Sequence, residues 1–510
     1  MVETLGETLR LSDGRDARKT EPGPRPFLYC VLELDRPTEA PSRHALHEID
    51  EVVIGRGSVR SFERSVEAGV RRLTLRVPDR WMSSTHARMG KVLGRWVLGD
   101  ARSKNGTIVN GARTEHATLA DGDLIELGHT LFLFRSAVPS AGVDAPDQAG
   151  GALLGDSTPP GLSTLVPPLA RDLGTLAQIS ASTVSMIVHG ESGTGKELIA
   201  RAIHQISGRP GAFVAVNCGA LPDTLVETEL FGYRKGAFSG AAEDRPGLVR
   251  TADRGTLFLD EIGDLPPSSQ SAFLRVLQER EVMPVGGTRA VPVDIRLVAA
   301  THRDLDKLVE NGQFRGDLYA RLSGFTITLP PLRERLEDLG LLTSALLRRL
   351  EPERAATLAI SLDAARAMFR HGWPLNVREL EKSLTAACVL AREGIIELDH
   401  LPESVRASLS SPRSAPGFTS EVTSAAQVTP SMLAGGLPAD ITPPGELDAD
   451  DASDDAPLSD EDRRRREQLI ALFREHGGNV SAVARSMGKA RMQIQRWMRR
   501  YKIEPEAFRK

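Results

Sequence analysis

Short apolar runs separated by polar residues and turns fill the first quarter of the chain. Strands of this length, bounded by Gly, Asp and Asn, are typical of an all-β sandwich, which we expect over residues 25–136. Residues 58–72 are basic and lack a clear period, which favours an enlarged loop between two strands. The runs are Leu28-Tyr29-Cys30-Val31-Leu32, Val52-Val53-Ile54, Leu73-Thr74-Leu75, Trp96-Val97-Leu98 and Leu131-Phe132-Leu133-Phe134.

Apolar strands alternate with helical patterns over residues 163–405, which predicts an α/β domain. Two of its strands are Ser185-Met186-Ile187-Val188 and Leu257-Phe258-Leu259. Three other segments have compositions that do not support a packed core. They are a polar tail at residues 1–24, an Ala/Gly/Pro/Ser-rich linker at 137–162, and a linker at 406–458 that ends in an acidic run; we expect the first and the last to be disordered.

The last segment, residues 459–510, has the pattern of an all-α helix–turn–helix domain. Its predicted helices are Arg463–His476, Val480–Met487 and Arg491–Tyr501. Residues 463–510 contain 14 Lys and Arg against four Glu, whereas the whole chain has a net charge of −4. Such a local basic excess favours DNA binding, although a basic helix pair that only dimerises is the alternative. The candidate base-reading residues are Arg491, Gln493, Gln495 and Arg496, and the candidate phosphate contacts are Arg499 and Arg500.

The composition also indicates the cellular compartment of the protein. The three cysteines, Cys30, Cys218 and Cys388, have neither metal-ligand nor disulfide spacing. No apolar run approaches the ~18 residues of a spanning helix, and the N-terminus lacks the apolar region of a signal peptide. These features predict a soluble cytoplasmic protein without a membrane partner.

A glycine-rich loop lies between a predicted strand and a predicted helix. Its residues are Gly190-Glu191-Ser192-Gly193-Thr194-Gly195-Lys196-Glu197. Backbone N–H groups of such a P-loop cradle phosphates, and we expect Lys196 to neutralise the β- and γ-phosphates of ATP. Glu197 stands where a hydroxyl residue usually holds Mg²⁺, so metal contact there is expected to be indirect.

Two carboxylates follow a buried strand further along the chain. We expect Asp260 to coordinate Mg²⁺ and Glu261 to polarise the attacking water. Arg315 and Arg321 could stabilise γ-phosphate charge from a neighbouring subunit, which implies a ring.

The segment Gly236-Ala237-Phe238-Ser239-Gly240-Ala241 lies between these two motifs. It has no place in nucleotide chemistry, and it combines small flexible residues with one aromatic tip. This composition is that of a moving part that pushes on a partner.

Loops of the predicted sandwich carry groups suited to phosphate. They are the planar fork of Arg56, the hydroxyl of Ser83 and the amide of Asn105, with Ser84 and Lys104 beside them. In their order they resemble the forkhead-associated (FHA) domain, which implies binding of phosphothreonine. The alternative is a sandwich whose turns form no phosphopeptide site.

Residues 163–405 resemble the AAA+ domain of the sigma-54-dependent transcriptional activators, and residues 459–510 resemble the Fis-type module that ends this family. The segments that carry the first resemblance are Gly190–Glu197, Glu227-Thr228-Glu229-Leu230-Phe231-Gly232, Gly236–Ala241, Gly255-Thr256-Leu257-Phe258-Leu259-Asp260-Glu261, Phe314–Leu322 and Trp373-Pro374-Leu375-Asn376-Val377-Arg378-Glu379-Leu380.

The resemblance implies roles for individual residues. Asn217 holds Glu261 until nucleotide is sensed, Thr301 and His302 fall at the first sensor, and Arg378 falls at the second. Arg315 and Arg321 become fingers that act in trans within a hexamer, and Gly236–Ala241 becomes the sigma-54 contact. The chain departs from the family twice: Ser239 replaces the usual Thr, and Leu375 replaces the usual Gly.

The expected function is therefore that of a sigma-54-dependent regulator. A homo-hexamer, with a resting dimer as an alternative, would use ATP and Mg²⁺ to remodel sigma-54 RNA polymerase from enhancer DNA, under control of a phosphothreonine-bearing protein. Two rivals stay open: a DNA-bound phosphopeptide adaptor with an inactive ATPase, and an AAA+ remodelling ATPase unrelated to transcription.

Overall fold

The computed structural model describes residues 23–140, 145–149, 159, 161–410, 470, 472–474 and 486. The chain forms two compact units, residues 1–416 and 417–510. In the second unit the described residues are helical and Phe473 is buried, in agreement with the helices predicted over Arg463–His476 and Val480–Met487. The candidate DNA-contacting residues of the third predicted helix lie outside the described residues.

The N-terminal part of the first unit is a sandwich of two sheets, as predicted. Its strands are β1 (Gly23–Glu33), β2 (Ser42–Ala45), β3 (Glu51–Arg56), β4 (Ser61–Glu67), β5 (Val70–Val77), β6 (Ala87–Val92), β7 (Arg95–Asp100), β8 (Thr107–Val109), β9 (Ala112–Thr114), β10 (His116–Thr118), β11 (Leu124–Leu127), β12 (Thr130–Ser140) and β13 (Asp147–Ala149). One sheet has the order β13-β2-β1-β12-β11-β8-β9 and the other β10-β7-β6-β3-β5-β4. Alternate residues such as Leu28, Cys30, Val52, Ile54 and Phe132 fill the space between the sheets.

Two segments differ from the sequence prediction. Residues 58–72 are largely strand rather than loop, because β4 pairs along its whole length with β5. Since β4 is an edge strand with little burial on either face, it shows no apolar alternation. Residues 137–162 are not only a linker, because β12 continues to Ser140 and β13 pairs with β2. Likewise, the predicted tail contributes Gly23 and Pro24 to β1.

The central part is an α/β domain, as predicted. Its strands are β14 (Met186–His189), β15 (Phe213–Asn217), β16 (Thr256–Asp260), β17 (Glu281–Val282), β18 (Val291–Pro292), β19 (Arg296–Thr301) and β20 (Phe325–Thr328). Its helices are α1 (Pro167–Ile179), α2 (Lys196–Ser207), α3 (Asp223–Phe231), α4 (Gly247–Thr251), α5 (Pro267–Glu279), α6 (Leu305–Glu310) and α7 (Gly316–Leu322). The main sheet is parallel with the order β15-β16-β19-β14-β20. Because parallel strands end at one edge, the P-loop, Asp260 and Thr301 lie at the same edge.

Residues 332–410 form a helical bundle, called the lid below. It contains α8 (Leu339–Leu350), α9 (Leu362–Arg370), α10 (Asn376–Leu390), α11 (Glu403–Ala407) and the short parallel pair β21 (Ala359–Ile360) and β22 (Ile395–Ile396). Across the described residues, no helix combines the length and apolarity that a membrane crossing requires.

The sandwich and the lid share one hydrophobic core. In the middle of β1 and β12 the outward-facing residues are apolar and buried, so this part of the sheet is covered on both faces. They pack with the lid in a single cluster that includes Phe27, Tyr29, Val31, Leu131, Leu133, Leu339, Leu346, Leu347, Met368 and Phe369. Across this interface the Ile360 N–H donates to Leu34 O at 2.8 Å. The sandwich is therefore fixed on the lid rather than tethered beside it.

Candidate nucleotide, partner and phosphopeptide sites

The predicted P-loop connects β14 to the first turn of α2. Gly195 precedes the helix with a φ of 105°, and Lys196 is buried. The Lys196 ammonium donates to Gly190 O at 3.0 Å and to Glu191 O at 3.3 Å, so it is held inside the loop where phosphates bind. Glu197 instead pairs with Arg201 on the exposed side of α2, at 2.7 Å.

The two predicted catalytic carboxylates face this lysine. Asp260 ends β16, and Glu261 follows with a φ of 51°. Glu261 Oε1 lies 3.7 Å from the Lys196 ammonium. Burial, together with the charge of Glu261, raises the pKa of Asp260 even though Lys196 opposes the shift. A cation or a phosphate-bound metal would therefore stabilise the ionised form of Asp260.

His302, rather than Asn217, contacts Glu261. His302 Nδ1 and Glu261 Oε2 are 2.7 Å apart. Asn217 uses its side-chain oxygen to accept from the Ala220 N–H at 3.1 Å, which caps a 3-10 turn. Thr301 is buried at the end of β19, where its hydroxyl oxygen accepts from the Arg303 N–H at 3.0 Å. The partner of Glu261 in this structure is therefore His302, the residue that directly follows β19, and the sensor roles of Thr301 and His302 stay predictions.

The lid contacts the P-loop through polar and charged side chains whose partners the sequence analysis did not identify. Arg333 donates to both oxygens of Glu191 at 2.9 and 2.7 Å, and Asn376 donates to Glu191 and to Ser192 O. Hydrogen bonds from Arg333 and Asn376 lower the pKa of Glu191 to about 2. The predicted sensor Arg378 donates to Ser192 Oγ at 3.1 Å. No local motif marks Arg333, because its partner stands 142 positions away.

The second-sensor turn approaches the P-loop too closely for any side chain at position 193. A Cβ on Gly193 would lie 2.2 Å from Leu375 O, and the φ of Gly193 is +79°. Leu375 itself has a φ of −103°, so this departure from the family adds no backbone strain. The positive φ values fall instead on Trp373 and Asn376, at 47° and 54°.

A chain of buried polar contacts connects the P-loop to the sandwich. Arg335 donates to Thr194 O at 2.9 Å, and the neighbouring Glu337 pairs with Arg135 of β12 at 2.5 Å. Asp338 accepts from the Thr164 hydroxyl and from the Leu165 N–H, both at 2.6 Å. Burial raises the pKa of Asp338 to about 6. One turn of the lid therefore touches both the nucleotide loop and the N-terminal sandwich.

The two candidate finger arginines lie at opposite ends of α7, away from this site. Arg315 pairs with Asp317 at 2.7 Å, and Arg321 is exposed in the last turn. Across the described residues, neither makes a hydrogen bond or ion pair with Lys196, Asp260 or Glu261 of the same chain.

The Gly236–Ala241 segment forms a tight exposed loop. The Gly236 N–H donates to Ala241 O at 2.9 Å, and both Gly236 and Gly240 have positive φ. Phe238 is 43 % exposed, and its ring meets Tyr233 edge-on at 5.0 Å. Ala241 is buried, so it supports the loop from below, whereas Phe238 and Ser239 are exposed.

The candidate phosphate groups of the sandwich converge from three loops. The Arg56 N–H donates to Ser83 O at 2.8 Å, and the Lys104 N–H donates to Ser83 Oγ at 3.1 Å. The Asn105 amide donates to Trp81 O at 2.7 Å, while Ser84 is exposed beside Ser83. Among the described residues, the guanidinium of Arg56 and the ammonium of Lys104 have no hydrogen-bond or ion-pair partner. The two charges are thus free to meet an anion.

Models of four protein families match the chain, in an order that agrees with the predicted fold classes. They are the FHA domain at residues 52–128, the Sigma-54 interaction domain at 166–328, the AAA+ ATPase lid domain at 333–416 and the Homeodomain-like domain at 460–507. The last match agrees with the predicted helix–turn–helix.

Similar proteins include two bacterial regulators and one solved structure. The chain is 38 % identical over 428 residues to the acetoin catabolism regulatory protein of Cupriavidus necator, covering 80 % of this chain and 59 % of that protein. It is 48 % identical over 243 residues to the Nif-specific regulatory protein of Klebsiella pneumoniae, covering 47 % of this chain and 46 % of that one. It therefore spans about half to three fifths of the length of these relatives.

The solved structure is NtrX from Brucella abortus in complex with ATP. It aligns with a TM-score of 0.44 at 27 % identity, over 67 % of this chain and 69 % of that one. The four family matches and the curated relatives together give the conclusion that the chain belongs to the sigma-54-dependent transcriptional activators, with an FHA domain ahead of its sigma-54 interaction domain.

Proposed function

We propose that this chain is an ATPase that remodels sigma-54 RNA polymerase from enhancer DNA, under control of a phosphothreonine-bearing protein. The observation that carries the proposal is the facing pair of Lys196 and Glu261, 3.7 Å apart, in a domain that also presents the exposed Phe238 loop. A nucleotide site and a candidate partner contact therefore belong to one compact domain.

The chemistry proposed for the nucleotide site uses residues of several elements. Lys196 neutralises charge on the β- and γ-phosphates, and Glu261 polarises the attacking water. His302 and the Lys196 ammonium position the Glu261 carboxylate before nucleotide enters. Arg378 carries the state of the P-loop into the lid through Ser192. Arg315 and Arg321 would complete the site of a neighbouring subunit in a homo-hexamer, since both are exposed on α7.

Mg²⁺ fits the donor groups at this site. It prefers one or two carboxylates together with substrate phosphates, and it keeps several waters. Asp260 is the carboxylate whose charge interacts with Lys196 of the phosphate loop, while Glu197 is engaged with Arg201. Within the described residues no group of three His, Cys, Asp or Glu could hold a metal, so the nucleotide phosphates would supply the remaining ligands. When bound, the ion would neutralise charge that develops on the phosphates.

Phe238 is proposed as the residue that meets sigma-54. Its side chain is 43 % exposed and packs edge-on against Tyr233. The glycines on both sides allow the loop to change its conformation. At the other end of the chain, the basic helix–turn–helix would hold the enhancer. Arg56, Ser83 and Lys104 would bind the phosphate of phosphothreonine.

A comparison of two exposed phenylalanines tests the coupling role. Phe62 of the FHA domain is a matched control, because it is 42 % exposed and also meets another ring edge-on at 5.0 Å. ATP turnover and sigma-54 open-complex formation would be measured for the full chain, Phe238→Ala and Phe62→Ala. We expect Phe238→Ala to keep ATP turnover and to lose open-complex formation, and Phe62→Ala to keep both.

Glu261→Gln tests the chemical step. Removing a general base reduces turnover by about a hundredfold or more, while ATP binding is retained. Turnover equal to that of the wild type would favour the adaptor with an inactive nucleotide site. Normal ATP turnover without any open complex in the wild-type protein would favour a remodelling ATPase unrelated to transcription.

The phosphopeptide role has its own test. Equal binding of a phosphothreonine peptide by wild type and Arg56→Ala would contradict this role.

A further inference from the structure

A cleft opens between the loops of the FHA domain and helix α9 of the lid. It has a volume of about 180 Å³, and its walls include Trp81, Asn105, Ile108 and His129 of the FHA domain and Leu362 of the lid. An apolar cavity of about 150 Å³ is enough to bind benzene, so this cleft is large enough for one amino-acid side chain.

The polar side chains of the cleft are already engaged. Asn105 donates to Trp81 O at 2.7 Å, and His129 Nδ1 lies 2.8 Å from Asp35. Glu126, which also lines the cleft, accepts three hydrogen bonds from Arg366 of α9. The apolar surface of the cleft comes from the Trp81 ring, which is 41 % exposed and stacks on His129 at 4.8 Å, and from the side chains of Ile108 and Leu362. The cleft therefore favours an apolar ligand over a polar one.

The cleft lies next to the candidate phosphate site. Asn105 lines it and directly follows Lys104, whose N–H donates to Ser83 Oγ. Ser83 is in turn bound to the backbone of Arg56. A single extended peptide can therefore place a phosphate against these groups and a nearby side chain in the cleft, since each residue advances it by about 3.3 Å.

We propose that this cleft binds an apolar side chain of the phosphothreonine peptide, with the lid residue Leu362 as part of the binding site. The proposal rests on the phosphopeptide role of the FHA domain. The lid wall is held in place by the Arg366–Glu126 pair and by Arg370, which donates to Asn110 O at 2.9 Å. The same lid also carries Arg378 at the P-loop, so the peptide and the nucleotide would both contact this domain.

The test uses the full chain and a series of fluorescent phosphothreonine peptides. Each peptide has glycine at every flanking position except one, where leucine is placed in turn at the four positions on either side. Fluorescence polarisation gives the affinity of each peptide relative to the all-glycine peptide. We expect one leucine position to raise the affinity about tenfold in the wild type, because burying such a side chain is worth roughly 1.5–3 kcal/mol before ordering costs.

Three variants locate the effect. Leu362→Ala should reduce the leucine advantage to about twofold or less while leaving the all-glycine peptide unchanged, and Leu362→Met should retain it. Leu390→Ala is the matched control, since this leucine of the lid is exposed at the end of α10. Unchanged affinity for the all-glycine peptide reports that the FHA domain of each variant is folded.

The outcomes separate this proposal from the one on which it rests. If no leucine position raises affinity, or if the gain persists in Leu362→Ala, the lid is not part of the site and the proposal is overturned. If Arg56→Ala binds all peptides as well as the wild type, phosphate recognition itself fails, whatever happens at Leu362. A gain that is lost in Leu362→Ala but kept in Leu362→Met and Leu390→Ala supports the composite site.

Discussion

The ion pair between Arg366 of the lid and Glu126 of the FHA domain offers a direct test of how firmly the two domains are joined. The Glu126 side chain is 1 % exposed and lies 2.6 Å from an Arg366 nitrogen. Arg366→Ala would leave this carboxylate buried without its cation. Because the pair joins β11 to α9, the cost falls on the docking of the FHA domain to the lid.

The magnitude follows from the chemistry of the carboxylate. Breaking a buried pair by removing one partner costs about 3–5 kcal/mol. The docking equilibrium should therefore shift by roughly a hundred- to several thousandfold.

Hydrogen exchange at Ile360 reports the docking. Its N–H donates to Leu34 O across the two domains, so it is protected while they are joined. Peptides that contain Ile360 would be followed by mass spectrometry in the full chain, with wild type as the reference. Arg349→Ala is the matched control, because Arg349 and Glu381 form an exposed pair on the same lid, at 2.7 Å, that is worth about 1 kcal/mol or less.

Two results would refute this reasoning. One is an exchange rate in Arg366→Ala that is no higher than in Arg349→Ala. The other is an equally large increase when both partners are replaced by apolar residues, which would point to lost packing rather than to an unpaired charge. Replacing both partners, as Arg366→Met with Glu126→Leu, should restore most of the protection, because a well-packed apolar pair leaves no buried charge.

Three further predictions concern the nucleotide site, the interdomain turn and the partner loop. Gly193→Ala should weaken ATP binding at least about tenfold in a titration, because its Cβ would lie 2.2 Å from Leu375 O, whereas Gly174→Ala, with open space around it, should not. Burial raises the pKa of Asp338 to about 6, so the protonated side chain contributes stability that is complete below its ordinary pKa of 3.8 and is lost as the pH rises through 6. Asp338→Asn should therefore flatten the dependence of Tm on pH from 4 to 6.5, and an unchanged slope would contradict this. Ser239→Thr should raise open-complex formation at constant ATP turnover, because Ser239 is exposed and the added methyl group meets the partner alone; a parallel rise in turnover would count against a contact role.

The motifs could be predicted because each is local. Lys196 and Gly190 are close in sequence, and Asp260 and Glu261 follow directly from a buried strand, so a parallel sheet brings them to one edge. The exposure of Phe238 also follows from its small neighbours. Other contacts of the site could not be predicted from the sequence. Arg333 stands in no motif, and the segment of Asn376 gave no role to this residue. Both reach Glu191 only after the lid has folded onto the P-loop.

By itself, the sequence determined the order of the domains and the chemistry each carries, because hydrophobic period and short motifs depend on adjacent residues. Only the tertiary structure decided that the FHA domain shares one hydrophobic core with the lid. The apolar residues on the outer face of β1, such as Tyr29 and Val31, look in the sequence like any others of a buried strand. Which surface covers them depends on contacts between residues some three hundred positions apart, such as Leu34 with Ile360, and no local pattern records such a pairing.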